Sequence, residues 1–237
     1  LAIADTMRAR GWQVFWLGTQ RGMEADIVPK HGLTFDAIDF AGLRGKGLKH
    51  SVTGVVRMFK ALAQSAHIFS ARQADAVLGM GGYMAVPGGL MAALSGRKLL
   101  IHEQNSVPGL SNRLLARIAR RVMTAFPDCL PGALWTGNPV MTEISAIASP
   151  AQRFADRSGP LRLLVVGGSL GAAALNSVVP QALALMSADV RPLVVHQAGA
   201  KNIEALQAAY AAAAVQAQLR PYIEDMAAEY AAADVVI

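Results

Sequence analysis

The sequence predicts an α/β protein made of two doubly wound parallel-sheet domains, the second incomplete. Three observations point there. Short apolar runs alternate with helix-patterned stretches along almost all of the 237 residues, which is how βα units and a parallel sheet read. The chain is 53% hydrophobic but only 6% aromatic, so its cores are aliphatic, as suits sheets covered by helices. Finally, the stretch 137–160 lacks strand character and contains Pro139, Pro150 and Pro160. Five strands are expected before it and four after. The expected domains are 1–138 and 161–237, with 139–160 as linker.

In chain order, the first domain opens with a helix over 2–10 and a strand over 13–17. A helix over 23–30 and a strand over 35–40 complete the next unit. A long helix, 52–70, leads to strand 76–79, helix 88–94 and strand 99–102. Helix 110–120 and strand 122–125 close the domain. Residues 76–96 carry no charge and are largely apolar, yet Gly79, Gly81, Gly82, Gly88, Gly89, Gly96 and Pro87 interrupt them. A spanning helix needs about 20 apolar residues with an intact backbone ladder, so strand, loop and short buried helix fit better. In the second domain strands over 161–166, 192–196, 219–222 and 235–237 alternate with helices over 172–186 and 203–215. Both chain ends read as cut: Leu1 opens in the body of a helix with no basic leader, and an apolar run stops at Ile237.

The net charge of +6 is unevenly placed. Residues 1–140 carry 16 Lys/Arg against 8 Asp/Glu, whereas residues 141–237 carry 6 against 8. A basic first half suits an anionic membrane surface or a polyphosphate substrate. No zinc-finger spacing, RNA-recognition signature or basic-aromatic interleaving supports nucleic acid as a partner. The single cysteine, Cys129, excludes an internal disulfide, and its turn-rich neighbourhood reads as that of an inert thiol. The five histidines and this cysteine form no metal-ligand pattern, so neither a metal nor another cofactor is expected.

The segment Val165-Val166-Gly167-Gly168-Ser169-Leu170-Gly171-Ala172 is the most informative. An apolar run ends in a glycine-rich turn, and a helix follows. A helix start presents unpaired N–H groups and roughly half a positive charge, which together can hold phosphate. Gly167, Gly168 and Gly171 let a diphosphate approach the main chain, and Ser169 adds a hydroxyl donor. The alternative is a plain strand-to-helix turn. The spacing is neither G-x-G-x-x-G nor a Walker A loop, which favours a nucleotide-sugar over ATP or NAD.

Other chemistry-bearing residues sit at expected strand ends, where open parallel sheets bind ligands. His102, Glu103, Gln104 and Asn105 follow an apolar run; they either line a pocket or form a capped turn. Glu103 becomes a general-base candidate if burial raises its pKa. Tyr83, set among Gly79, Gly81 and Gly82, either stacks on a sugar or simply packs its ring. His196 reads as a structural hydrogen-bonder. In the long helix Val52, Val56, Phe59 and Leu62 form a stripe flanked by Lys49, Arg57 and Lys60, and Arg113, Arg117, Arg120 and Arg121 form a second basic group. Such a stripe either rests on an anionic bilayer or packs against the sheet.

Several segments together resemble the MurG family, the bacterial glycosyltransferases of peptidoglycan synthesis. They are Gly42-Leu43-Arg44-Gly45-Lys46-Gly47, Gly79-Met80-Gly81-Gly82-Tyr83, Pro87-Gly88-Gly89, His102-Glu103-Gln104-Asn105, Gly137-Asn138-Pro139-Val140, the glycine-rich segment from Gly167 to Gly171, and Tyr222-Ile223-Glu224-Asp225-Met226. The resemblance runs in order along essentially the whole chain. It implies a GT-B fold of two Rossmann-like domains. It also implies metal-independent, inverting transfer of N-acetylglucosamine from UDP-GlcNAc to undecaprenyl-diphospho-N-acetylmuramoyl-pentapeptide, on the cytoplasmic face of the membrane. By position, Asn105, Ser169 and Ile223 match donor-contacting residues, with Ser169 at the diphosphate and Ile223 at uracil. Gly81, Gly82, Tyr83, His102 and Glu103 match the acceptor side. Lys49, Val52, Val56, Phe59 and Leu62 match the family's membrane patch.

The chain departs from the family pattern at Met141, where the family usually has a donor-contacting arginine. The family's N-terminal glycine-rich loop, where the likeliest base would lie, and its Ala-Leu-Thr-Val-Ser-Glu motif are not in the sequence. Glu103 and His102 are the weaker base candidates left. The resemblance therefore implies that the 237-residue chain by itself is inactive or nearly so. Two alternatives are a UDP-GlcNAc 2-epimerase, which needs no bilayer-facing helix, and an inactive membrane-docked binding protein.

Overall fold

The computed structural model describes residues 1–22, 24–40, 48–167 and 172–237, and for 48–52 the backbone only. Two compact units divide the chain, Leu1–Pro139 and Val140–Ile237. The first holds α1 (Ala2–Ala9), β1 (Phe15–Gly18), α2 (Glu24–Lys30), β2 (Thr34–Ala37), α3 (Leu48–Ala71) and β3 (Ala76–Gly79). It continues with α4 (Ala85–Leu94), β4 (Lys98–Glu103), α5 (Leu110–Leu115), β5 (Arg121–Thr124) and β6 (Leu134–Trp135). The second holds α6 (Thr142–Ser145), α7 (Pro150–Phe154), β7 (Arg162–Val166), α8 (Ala173–Ala184) and β8 (Leu193–Gln197). It ends with α9 (Ile203–Ala212), β9 (Gln218–Arg220), α10 (Met226–Ala232) and β10 (Val235–Val236).

Among the described residues every strand pair is parallel. In the first unit β1 pairs with β2, and β3-β4-β5-β6 form a separate four-stranded ladder. Leu99 and Ile101 of β4 are buried against Phe69 of α3, Ala92 of α4 and Leu115 of α5. The long helix therefore packs through its C-terminal half. In the second unit the order is β10-β7-β8-β9. Successive side chains of a strand point to opposite faces, and β7 uses both. Leu163 and Val165 meet Val179 and Leu183 of α8 and Leu206 and Tyr210 of α9, while Leu164 meets Ile223 and Ala233. A sheet covered on both faces is the doubly wound arrangement.

The expected elements differ from the observed ones in instructive places. The helix expected over 110–120 stops at Leu115, because the next amides, Arg117 and Ile118, bond three residues back and tighten into a turn. Helix α4 starts three residues earlier than expected, since Pro87 in its first turn has no amide to lose. β6 is two exposed residues long, too short to read from pattern. Part of the stretch 139–160 folds as α6 and α7. Ser149 and Gln152 form a reciprocal cap with Pro150 at the first helical position. Arg153 Nη1 then donates to the carbonyls of Tyr230, Ala231 and Ala233 at 3.1, 2.9 and 3.0 Å, fastening α7 to the end of α10.

Candidate functional site

β4 carries Leu99 and Ile101 into the core and leaves its polar residues at the carboxyl end. Glu103 is only 2% exposed, yet all of its acceptor capacity is used. Oε1 accepts from the Asn105 N–H and from Asn105 Nδ2, both at 3.0 Å. Oε2 accepts from the Gly109 N–H at 3.0 Å and from Asn112 Nδ2 at 2.9 Å. Burial pushes the Glu103 carboxyl up, but the bonds from Asn105, Asn112 and Gly109 outweigh it and hold the group below its ordinary value of 4.5. The condition that burial raises its pKa is not met: Glu103 anchors the loop 103–112 as a carboxylate, with both oxygens accepting from that loop.

His102 is likewise engaged. Its Nε2 lies 3.0 Å from the Gly137 carbonyl, which only accepts, so Nε2 carries the hydrogen. Nδ1 then accepts from Gln104 Nε2 at 2.9 Å. Both ring nitrogens are thus tied to neighbouring loops, Nε2 to Gly137 and Nδ1 to Gln104. Asn138 Nδ2 donates to the Gln104 carbonyl at 3.1 Å, and Cys129 Sγ donates to the Asn105 carbonyl at 3.3 Å. The segment 102–105 is therefore a closed hydrogen-bonded knot with Asn105 at its exposed rim. Burial raises the Cys129 thiol pKa, as suits an inert hydrogen-bonder.

Of the two glycines expected on the acceptor side, Gly81 backs onto the same knot. Gly81 and Gly82 have φ of +89° and +72°, a region open mainly to glycine, and a Cβ on Gly81 would lie 3.3 Å from Asn112 Nδ2. Tyr83 follows, 48% exposed, with its ring 6.1 Å from that of Phe40. Asn112 itself escaped the sequence reading. It is 1% exposed and bridges the His102 carbonyl and Glu103. The available signal was an amide on the face of a helix that also buries Leu115.

In the second unit β7 ends at Val166 and α8 begins at Ala173, with Ala172 as its cap. Gly167 is half-buried; Gly168, Ser169 and Gly171 lie outside the described residues. Ile223 is 2% exposed and sits in the core with Leu164 and Ala233, so the expectation that its side chain meets uracil is corrected. Met141 caps α6 through its carbonyl, which accepts from the Ser145 N–H at 3.0 Å, and its exposed thioether supplies no charge. His196 is fully buried between Tyr210 Oη and Asn176 Oδ1, at 3.0 and 3.1 Å. Burial depresses its pKa to about 4 and raises that of Tyr210 to about 12.

On α3, Val56 and Phe59 are 63% and 68% exposed, while Ala61 and Phe69 face the core. Packing against the sheet therefore does not account for these two. Leu62 is half-buried; the side chains of Lys49 and Val52 lie outside the described residues. Lys60 pairs with Asp39 at 2.7 Å beside the stripe. Among the described residues no helix is long and apolar enough to cross a membrane, and no three His, Cys, Asp or Glu side chains group as metal ligands.

Residues 1–124 match the glycosyltransferase family 28 N-terminal domain, and residues 162–237 match the family's C-terminal domain. The chain belongs to glycosyltransferase family 28. Family 28 relatives are similar over its whole length. A Ralstonia nicotianae protein named UDP-N-acetylglucosamine--N-acetylmuramyl-(pentapeptide) pyrophosphoryl-undecaprenol N-acetylglucosamine transferase is 55% identical over 240 residues, covering 100% of this chain and 66% of that protein. A Burkholderia orbicola protein of the same name is 56% identical, with 100% and 66% covered. The chain thus spans about two thirds of the length of the curated relatives it matches. The crystal structure of Acinetobacter baumannii MurG is 37% identical with a TM-score of 0.74, covering 99% of this chain and 67% of that one. The MurG resemblance read from the motifs holds, and with it the GT-B class of fold. A UDP-GlcNAc 2-epimerase from Neisseria meningitidis, at 12% identity and a TM-score of 0.57, shares the fold alone.

Proposed function

We propose that this family 28 chain serves the transfer of N-acetylglucosamine from UDP-GlcNAc to the 4-hydroxyl of undecaprenyl-diphospho-N-acetylmuramoyl-pentapeptide in peptidoglycan synthesis. The observation that carries the proposal is the 55–56% identity, along the whole chain, to proteins named for that transfer. The physical arrangement suits the chemistry. The leaving UDP gathers negative charge, and main-chain N–H groups at the start of α8, with the glycine-rich segment 167–171 before it, stabilise that charge where it develops. By family resemblance Ser169 is the residue that meets the diphosphate. On the acceptor side the Glu103 knot fixes Asn105 at its rim and backs the Gly81-Gly82-Tyr83 turn. Glu103 and His102 each hold the loop through several hydrogen bonds and are the weaker candidates for the base.

The exposed Val56 and Phe59, flanked by Arg57 and Lys60, suit an anionic bilayer and a lipid-linked acceptor, and they support the reading of a peripheral protein on the cytoplasmic face of the membrane. Calorimetric titration of the chain with UDP-GlcNAc and, separately, GDP-mannose tests the donor assignment. Saturable heat with UDP-GlcNAc alone is expected; no binding, or equal binding of the two, would overturn it.

A further inference from the structure

The second unit contains a buried polar chain that the transfer chemistry itself does not use. His196, the penultimate residue of β8, is 0% exposed and is the only histidine in the sequence of that unit. One ring nitrogen faces Tyr210 Oη of α9 at 3.0 Å and the other faces Asn176 Oδ1 at 3.1 Å. The amide oxygen of Asn176 only accepts, so Nε2 carries the hydrogen and Nδ1 accepts from the Tyr210 hydroxyl. Asn176 Nδ2 in turn donates to the Ala198 carbonyl at 3.1 Å, just beyond β8. The backbone N–H of the same Asn176 bonds the Ala172 carbonyl at 2.9 Å and so closes the first turn of α8. One residue therefore shapes the helix start through its main chain and bolts it to the sheet through its side chain.

Adjacent strands fix the other end of the bolt. β7 and β8 run in register with Val165 opposite His196 and Val166 opposite Gln197, so His196 sits beside the point where β7 gives way to Gly167. A helix start used for a phosphate must be held still, because an N–H group displaced by an ångström no longer meets its oxygen. Among the described residues no side chain caps the start of α8 and none in its first turn is acidic, so the hold must come from elsewhere in the fold. Resting on the nucleotide-sugar assignment above, we infer that His196 and Asn176 are positioning residues for the donor diphosphate: Nε2–H of His196 orients the Asn176 amide, and Asn176 sets where the first turn of α8 presents its N–H groups. Tyr210 completes the chain by fixing the tautomer. Neither residue touches substrate in this scheme.

Titration of the chain with UDP, combined with amide hydrogen exchange over residues 172–178, tests the inference. His196→Phe and Asn176→Ala are each expected to weaken UDP binding about tenfold, the scale of one lost buried hydrogen bond. The double variant should be no weaker than the worse single one, because both changes break one linkage. His196→Gln, whose amide can still donate to Asn176, should recover most of the affinity. Leu206→Ala, a truncation in the same core at a residue outside the hydrogen-bonded chain, should lower Tm and leave UDP affinity unchanged. Faster exchange in the first turn of α8 is expected for His196→Phe and Asn176→Ala but not for Leu206→Ala. If the two polar variants lose Tm yet bind UDP like the parent, or if exchange rises equally in all three, the positioning role is wrong. If the unaltered chain ignores UDP while exchange still separates the variants, the nucleotide-sugar assignment fails and the control of the helix start stands.

Discussion

Glu103 Oε2 and Asn112 Nδ2 lie 2.9 Å apart, joining the last residue of β4 to the inner face of α5. Nine residues of sequence separate them, and the loop between carries Asn105 and Gly109, which bond the same carboxylate. The pair makes the loop a fixed platform.

Replacing Glu103 with Gln keeps the shape but turns an amide NH₂ toward donors that need an acceptor. An unsatisfied buried donor costs about 2 kcal/mol, and Glu103→Gln should lower the stability of the first unit by about that much. Urea unfolding at neutral pH measures it, and an unchanged midpoint would contradict the anchoring role.

The same carboxylate gives a pH signature. Its folded pKa lies below 4.5, so the folded state binds fewer protons than the unfolded one between the two values. Its contribution is fully present above 4.5 and is lost as pH falls through the folded value. The stability gap between the parent and Glu103→Gln should therefore shrink below pH 4.5. A gap constant down to about pH 3 would show that the carboxylate is not specially held.

His196 acts over a different window. Its folded pKa of about 4, against 6.5 in the unfolded chain, means that the unfolded state takes up the proton first. Its contribution is complete above pH 6.5, erodes as pH falls toward 4 and is then spent. The change is on the order of 3 kcal/mol. The His196 Cε1–H resonance should show no titration step near 6.5, and a step there would refute its burial as a neutral ring.

Gly81 and Gly82 should respond unequally to alanine. Both have positive φ, which costs about 1 kcal/mol for a residue with a Cβ, but only Gly81 would also press on Asn112 Nδ2, at 3.3 Å. Gly81→Ala should destabilise more than Gly82→Ala and disturb acceptor-side function more. Thermal melts of the pair decide this.

Phe59→Ser removes an exposed ring and should change folding stability by less than about 0.5 kcal/mol. Retention on vesicles rich in phosphatidylglycerol should fall roughly tenfold, since a phenyl group contributes about 1.5–3 kcal/mol on leaving water. Unaltered flotation would remove α3 as the membrane contact.

Much of the fold was legible because burial imposes period. The run that became β7 contains Leu163, Leu164 and Val165, apolar on both faces, and both faces are covered. Asp225, which caps α10 through Ala228, and the Ser149 cap of α7 were also readable as motifs, although neither helix was expected. The site was half legible. His102, Glu103 and Asn105 stood out as polar residues after an apolar run, and they do come together. What they do there was not readable, since it depends on Asn112, Gly109 and Gly137, partners 6 to 35 residues distant in sequence.

By itself, then, the sequence determined the α/β class, the parallel strands and the family, because these follow from hydrophobic period and from ordered motifs. The tertiary structure decided the protonation of Glu103, the burial of Ile223 and the outward face of Val56 and Phe59. Each of those depends on which groups lie within a few ångströms after folding, and neighbours brought together from distant positions leave no local period behind.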